Sequence, residues 1–243
     1  MKYLVGICSL VLLLASCKKE QDQFTPEPVS DYYPLQVGKY ITYNLDSTVF
    51  INYGQNQAQV HYQVKDVVDA AITDNLGRPG FRIIRYLRKD AASDWSPNNV
   101  FMAVPTDRTV EFIENNLRFI KLALPIKQDF SWKGNSYIDV TSNEIDLGFY
   151  DDWDYVYDSV GVPLTINSLS FDNTVKVAEI DYTENDPSLP GTGYAEKTYS
   201  VEKYAKGIGL IYKEFLHWEY QGPESPTYGY SGYGVKLSII DHN

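Results

Sequence analysis

The residues of this chain with the most evident capacity for chemistry are carboxylates. Glu144, Asp146, Asp151, Asp152, Asp154 and Asp158 fall in one short stretch, interleaved with Phe149, Tyr150, Trp153, Tyr155 and Tyr157. Carboxylates at that density suit a hard cation such as calcium, which collects oxygen ligands, or a pair working as acid and base on a glycosidic bond. A glycosidase pair must face each other across about 5–9 Å. Neighbouring residues of a strand point to opposite faces, so Asp151 and Asp152 make a poor pair, whereas Asp152 and Asp154 share a face. The spacing matches no defined calcium loop. Asp152, Asp154 and Asp158 stay as candidate cation ligands, with a solvated hairpin edge as the plainer reading. No cofactor is expected, unless the acidic run holds calcium or another cation.

A second group is aromatic. Trp218, Tyr220, Tyr228, Tyr230 and Tyr233 lie around a loop marked by glycine and proline. Exposed rings of this kind stack on sugars or anchor a protein partner. The chain holds 21 tyrosines, so part of the group is expected simply to pack the end of the domain. His61, His217 and His242 are the only histidines. His61 and His217 stand opposite the apolar parity read for their strands, which predicts solvent-facing side chains, and no spacing suggests a metal site. A Gly-x-Ser-x-Gly elbow and a phosphate-cradling glycine loop are both missing. The two cysteines, Cys8 and Cys17, both belong to the N-terminal segment. These residues do not propose an enzyme. The formal net charge of −11 argues against nucleic acid and against lying flat on an anionic leaflet.

The elements that must position these groups begin with an address. Lys2 precedes an uncharged run from Leu4 to Ala15, too short for a spanning helix of about 20 residues but suited to a secretory signal. Leu14-Ala15-Ser16-Cys17 resembles a bacterial lipobox. The resemblance implies a signal peptide over 1–16, acylation of Cys17 and a mature chain starting there, anchored durably because more than one acyl chain is buried. Residues 17–31, polar and carrying two prolines, read as a flexible tether. Acidic residues just behind Cys17 resemble the export signals of Bacteroidetes-type bacteria. The expected location is the outer membrane, with outward display preferred over the periplasmic leaflet.

Residues 32–243 read as a single antiparallel β domain. Ile41, Tyr43, Leu45, Val49 and Ile51 share one parity, as do Val60, Tyr62, Val64, Val68, Ala70 and Ile72. Period two indicates half-buried strands, and the second run is long enough to require a bulge or bend. Asn115-Asn116 predicts a hairpin turn, "DNLGRPG" (74–80) another, and Gly207-Ile208-Gly209 a third. In the last long ribbon Ile208, Leu210, Tyr212, Leu216, Trp218 and Tyr220 share the apolar parity. The ribbons around 58–88 and 194–220 could occupy equivalent places. No βαβ rhythm and no clean helix appears. The expectation is all-β: nine to eleven antiparallel strands in a strongly curved meander, a barrel-like sheet or a sandwich.

"YYPLQVGKYITY" (32–43) is similar to the opening of uncharacterised cell-envelope lipoproteins of Bacteroidetes, and "LPIKQDFSWKGN" and "YAKGIGLIYKEF" resemble their later segments. That family carries no assigned chemistry, so no functional residue follows from it. The function expected is a non-catalytic envelope module binding a glycan, peptide or protein partner. A carrier of lipid or another hydrophobic ligand is the first alternative, and a carbohydrate-active enzyme using carboxylates of 144–158 the second.

Overall fold

The computed structural model describes residues 27–141 and 147–243. The first six strands are β1 (Tyr40–Ile51), β2 (Asn56–Thr73), β3 (Pro79–Arg88), β4 (Ser96–Pro105), β5 (Thr109–Glu114) and β6 (Leu117–Ala123). The second six are β7 (Ser131–Lys133), β8 (Asp154–Ile166), β9 (Leu169–Glu184), β10 (Tyr194–Ala205), β11 (Gly209–Gln221) and β12 (Gly229–His242). All pair antiparallel in one 12-stranded sheet, ordered β6-β5-β4-β3-β2-β1-β12-β11-β10-β9-β8-β7, which curls until it nearly closes as a barrel.

The turns form where the sequence supplies residues that accept a left-handed backbone. Asn115 and Asn116 adopt φ of 52° and 64° between β5 and β6, the arrangement a two-residue hairpin favours. Asp74 opens the β2–β3 turn by accepting the backbone N–H groups of Leu76 and Arg78, each at 2.9 Å. Strand β2 runs for 18 residues and bends at a bulge between Val68 and Ala70. The β2–β3 and β10–β11 ribbons do sit equivalently: they flank the central β1–β12 pair on either side.

Closure is made by side chains and isolated backbone bonds instead of a ladder. Ile120 donates its N–H to the Gly134 carbonyl at 2.8 Å, and the Trp132 indole donates to the Ile120 carbonyl at 2.8 Å. Tyr157 on β8 donates to the Ala123 carbonyl at 2.8 Å and accepts the Ala123 N–H at 3.1 Å. Gly134 is required at this seam, because a Cβ there would sit 2.5 Å from the Tyr155 ring. Apolar packing fills both sides of it, with Val110, Leu122, Val175 and Val177 fully buried.

The opening of the domain acts as a stopper at one end. Val29 is 2 % exposed within a 3-10 turn, Val29–Asp31, so packing begins inside the stretch 17–31 read as tether. Residues 1–26, including Cys17, lie outside the described residues. The Tyr32 hydroxyl bonds Asn173 at 2.8 Å. Tyr33 packs its ring on Phe112 and Tyr204, and Gly38 donates to the Val68 carbonyl at 2.8 Å.

Strand β11 corrects the sequence reading. Its buried side is the odd one from Ile211 on, with Ile211, Phe215 and His217, while Leu216, Trp218 and Tyr220 face outward and only Leu210, beside the bulge, still packs on the core. His217 is 8 % exposed, stacked on Phe149 at 4.0 Å and 2.9 Å from the Thr198 hydroxyl. The expected solvent-facing histidine is therefore buried. The inversion has a physical cause: the interior of this barrel accepts charge, so polarity along β11 does not report which side is wet.

The closing seam gives a direct test. Tyr157→Phe leaves both Ala123 backbone groups without that partner in a buried setting and should cost about 1–3 kcal/mol, read from urea unfolding. A loss below the error of the fit would mean the seam is held by packing alone.

Candidate functional site

Across the middle of the barrel runs a layer of ions. Lys121 on β6 lies 3.0 Å from Glu179 of β9 and 2.9 Å from Glu202 of β10. Strands β6 and β9 are far apart in the sheet order, so these bonds cross the interior. Lys213 continues the chain, 3.6 Å from Glu202 and 3.5 Å from Glu114. Beside it Arg85 grips Asp66 through two bonds of 2.7 Å. Ser200 donates to Glu179 at 2.6 Å, and the Tyr204 hydroxyl donates to Glu202. Lys121 is 5 % exposed and the two glutamates 2 % each. Charges so placed persist only when paired and hydrogen-bonded.

This layer divides two cavities. The larger, about 270 Å³, is walled by Phe119, Tyr150, Trp153, Tyr155 and Phe215, floored by Glu179 and Lys121, and meets solvent at Asn99, Asn115 and Tyr233. The smaller, about 70 Å³, lies on the other side against Tyr33, Tyr43, Phe101, Asp66 and Glu202. Arg85, Glu114, Lys121, Lys213 and Leu237 touch both. Glu179 borders only the larger cavity and Glu202 only the smaller. The two carboxylates thus do not flank a common space, as a catalytic pair must.

Their acidities diverge. Burial pushes the Glu179 carboxyl upward, and the neighbouring Glu202 charge adds to the rise, against the pull of Lys121. Burial also pushes Glu202 upward, but Lys121, Lys213 and the Tyr204 hydroxyl overcome it and hold it at about 2. Burial likewise opposes ionisation of Glu114, and Lys213, Arg85 and Lys121 outweigh it, so its value is lowered. Ion-pair networks shift acidities for structural reasons as well as catalytic ones, and here the geometry favours the structural cause.

Of the residues expected from sequence, four of five aromatics assemble. Trp218, Tyr220, Tyr228 and Tyr230 gather on the outer face, Tyr220 lying 5.0 Å from Tyr230 and 6.2 Å from Tyr228. Trp218 meets Tyr230 edge-on at 5.4 Å. Phe50, from the end of β1, stacks on Tyr230 at 5.4 Å and 7°. The opposite strand clears the way for the indole: Trp218 pairs with Gly232, whose φ of 121° suits glycine. Tyr233 leaves the group. It faces the other way, packs on Phe215 at 5.1 Å and lines the larger cavity.

The acidic run is spread out. Asp152 lies before β8 in a left-handed conformation with φ of 56°, not on the strand that the sequence reading assumed, and it and Asp154 both reach Lys133, at 2.7 and 2.9 Å. Asp158 pairs with Lys176 at 2.7 Å. Among the described residues, no group of three or more possible metal ligands is assembled. Glu144 and Asp146 lie outside the described residues. The ionic layer was missed from sequence, although one signal was present. Asp66 sits on the apolar parity of β2 between Val64 and Val68, and Arg85 does so on β3 between Ile83 and Leu87; they are hydrogen-bonded partners in the register.

No protein-family model matches the chain, and no curated protein matches it either. Among solved structures it is similar to a Bacteroides fragilis NCTC 9343 protein described as exported and as having a YmcC-like fold. The identity is 16 %, the match covers 85 % of this chain and 97 % of that one, and the TM-score is 0.39. A DUF1329 family protein from Desulfovibrio piger ATCC 29098 matches at 11 % identity over 90 % of this chain and 93 % of that one, with a TM-score of 0.19. Likenesses at these scores carry no argument about activity or ligand.

The ionic layer makes two stability predictions. Lys121→Met removes the ammonium shared by Glu179 and Glu202, leaves the Glu202 charge under-compensated and should cost about 3–5 kcal/mol in urea unfolding, whereas adding Glu179→Gln and Glu202→Gln to it recovers most of the loss. The second concerns pH. Glu202 is lowered, so its pairing stabilises the fold fully above the ordinary 4.5 and fades as pH falls toward about 2. Glu179 is raised, so the folded state keeps a proton the unfolded chain has lost, and its contribution falls as pH rises above 4.5. Glu179→Gln should therefore gain on the wild type in thermal midpoint as pH climbs through that window. A constant difference at all pH values would contradict the assignment.

Proposed function

We propose that this protein is a non-catalytic binding module of the cell envelope that presents its outer aromatic strip to a glycan. The observation that carries the reading is the gathering of Phe50, Trp218, Tyr220, Tyr228 and Tyr230 on one face of a rigid sheet. Tyr228 is 42 % exposed, and Trp218, Tyr220 and Tyr230 are half-buried. Each ring is held by its neighbours and still offers surface. Rings fixed in this manner stack on the apolar faces of sugars with little ordering cost. The adjoining β1–β2 turn is bound to this region through the Tyr230 N–H to the Gly54 carbonyl at 2.9 Å, which makes the platform stiff. Attachment through acyl chains on Cys17, at the outer membrane and facing outward, completes the proposal. Among the described residues no helix is long and apolar enough to cross a membrane.

The interior weighs against the lipid-carrier alternative. An acyl chain lying across both cavities would displace ion pairs formed by Arg85, Lys121 and Lys213, at a desolvation cost no methylene contact offsets. The enzyme alternative loses support because Asp152, Asp154 and Asp158 already lean on lysines at the exposed surface.

Two measurements test the proposal. In affinity electrophoresis against a panel of polysaccharides, Trp218→Ala combined with Tyr230→Ala should weaken binding about tenfold or more, with retardation of the wild type by at least one glycan. Retention of a peptide or protein partner with no glycan retardation would turn the strip to protein recognition. Separately, Cys17→Ala should move the protein from the membrane fraction to the soluble one, with the far-ultraviolet signature of β structure unchanged. Continued sedimentation with membranes would exclude the acyl anchor.

A further inference from the structure

The ionic layer has an imbalance that its geometry makes specific. Reading across it, Glu179, Lys121, Glu202, Lys213 and Glu114 alternate in sign and end on a carboxylate at both sides. Arg85 and Asp66 neutralise each other. With every group ionised the layer carries one negative charge in excess, in a setting where an uncompensated charge is costly. One further positive charge balances it.

That charge has one place to arrive. Glu202 is enclosed by Lys121, Lys213 and the Tyr204 hydroxyl. Glu179 has a single ammonium partner and stands on the floor of the 270 Å³ cavity. Above it the walls are rings: Phe119 lies edge-on to Tyr150 at 5.5 Å, Tyr150 tilts on Trp153 at 5.3 Å, and Phe215 meets Tyr233 at 5.1 Å. Faces of aromatic rings attract cations, the more so when water is displaced. The volume accepts a body of roughly ten non-hydrogen atoms, taking about 30 Å³ for a water-sized unit.

We infer that the larger cavity is a binding site for a small organic monocation, its ammonium group set against Glu179 and its alkyl or ring body against the aromatic walls. An anion is disfavoured, because Lys121 and Lys213 are each already shared between two carboxylates. This site is independent of the outer strip and stands whether or not a glycan binds there.

Binding is coupled to a proton. The groups facing Glu179 are Lys121 from β6, Tyr155 from β8, Ser200, Glu202 and Tyr204 from β10, and Lys213 from β11. Burial and the Glu202 charge raise the Glu179 carboxyl against the opposing pull of Lys121, Ser200 and Lys213, so it holds a proton to higher pH than a free carboxyl does. The cation replaces that proton: the carboxylic acid ionises, its proton passes to solvent buffer, and the carboxylate pairs with the incoming ammonium. Charge in the layer is conserved throughout.

Titration calorimetry on the full chain tests this, with n-butylammonium and tetramethylammonium as probes and n-butanol and butanoate as controls. The expected result is one saturable site, an ammonium preference over butanol of about tenfold, tighter binding as pH rises, and proton release seen as a dependence of the heat on buffer ionisation. Glu179→Gln should abolish the release and most of the preference. Equal binding of butanol, preference for butanoate, no binding of any probe, or a wild-type heat independent of buffer would each overturn the inference. The wild-type arm alone decides the matter should the variant fail to fold.

Discussion

The buried ammonium of Lys121 is the contact on which the rest of this structure depends. It stands on β6 near one end of the sheet and bonds to Glu179 and Glu202 on β9 and β10 near the other. A sheet of 12 strands joined end to end need not bring those strands face to face. It does so here because the curl of the sheet and the seam of Trp132, Gly134 and Tyr157 bring β6 back toward β7 and β8. Were the barrel to open at that seam, water would enter and the ion pairs would lose the low-dielectric setting that gives them strength. Closure therefore sets the dielectric environment in which the ionic layer forms, and the layer in turn ties β6 to β9 and β10 across the interior.

Much of this architecture was legible in the sequence, for reasons that can be named. Hairpins announced themselves where Asn115-Asn116 and Asp74–Gly80 supplied the dihedrals that tight turns need. The inward face of β1 was plain because Ile41, Tyr43 and Leu45 are apolar on one parity. On β11 the same rule failed. Its inward residues include Lys213 and His217, while Leu216, Trp218 and Tyr220 look outward, so the stronger apolar pattern marked the wrong side. A rule that equates burial with apolarity must fail wherever charge is neutralised inside. Asp66 and Arg85, opposite one another on apolar parities of β2 and β3, were the visible trace of that exception. Pairing across strands distant in sequence, such as Lys121 with Glu179, leaves no local pattern at all.

The opening motif acquires a physical meaning. "YYPLQVG" resembled envelope lipoproteins without suggesting any role, and its residues turn out to stopper one end of the barrel. Tyr32 is tied to Asn173, Tyr33 enters between Phe112 and Tyr204, and the chain then joins β2 through Gly38 and Val68. The far end stays wetter, edged by Asn99, Asn115 and Tyr233. This polarity places any access to the larger cavity at the end opposite the N-terminal segment.

The ionic layer is poorly explained as a source of stability. Ion pairs taken from water repay their desolvation only in part, and well-packed apolar residues of similar volume commonly do as well or better. A barrel whose walls already carry Val175, Val177, Leu122 and Ile211 fully buried has the means to fill its centre with more of the same. What apolar filling could not supply is a divided interior. The layer keeps a cavity of about 270 Å³ open on one side, fixes a raised carboxyl on its floor, and leaves the aromatic walls around it ordered. Its cost in desolvation is thus better matched to recognition than to folding, and the surplus carboxylate sets the sign of what can be recognised.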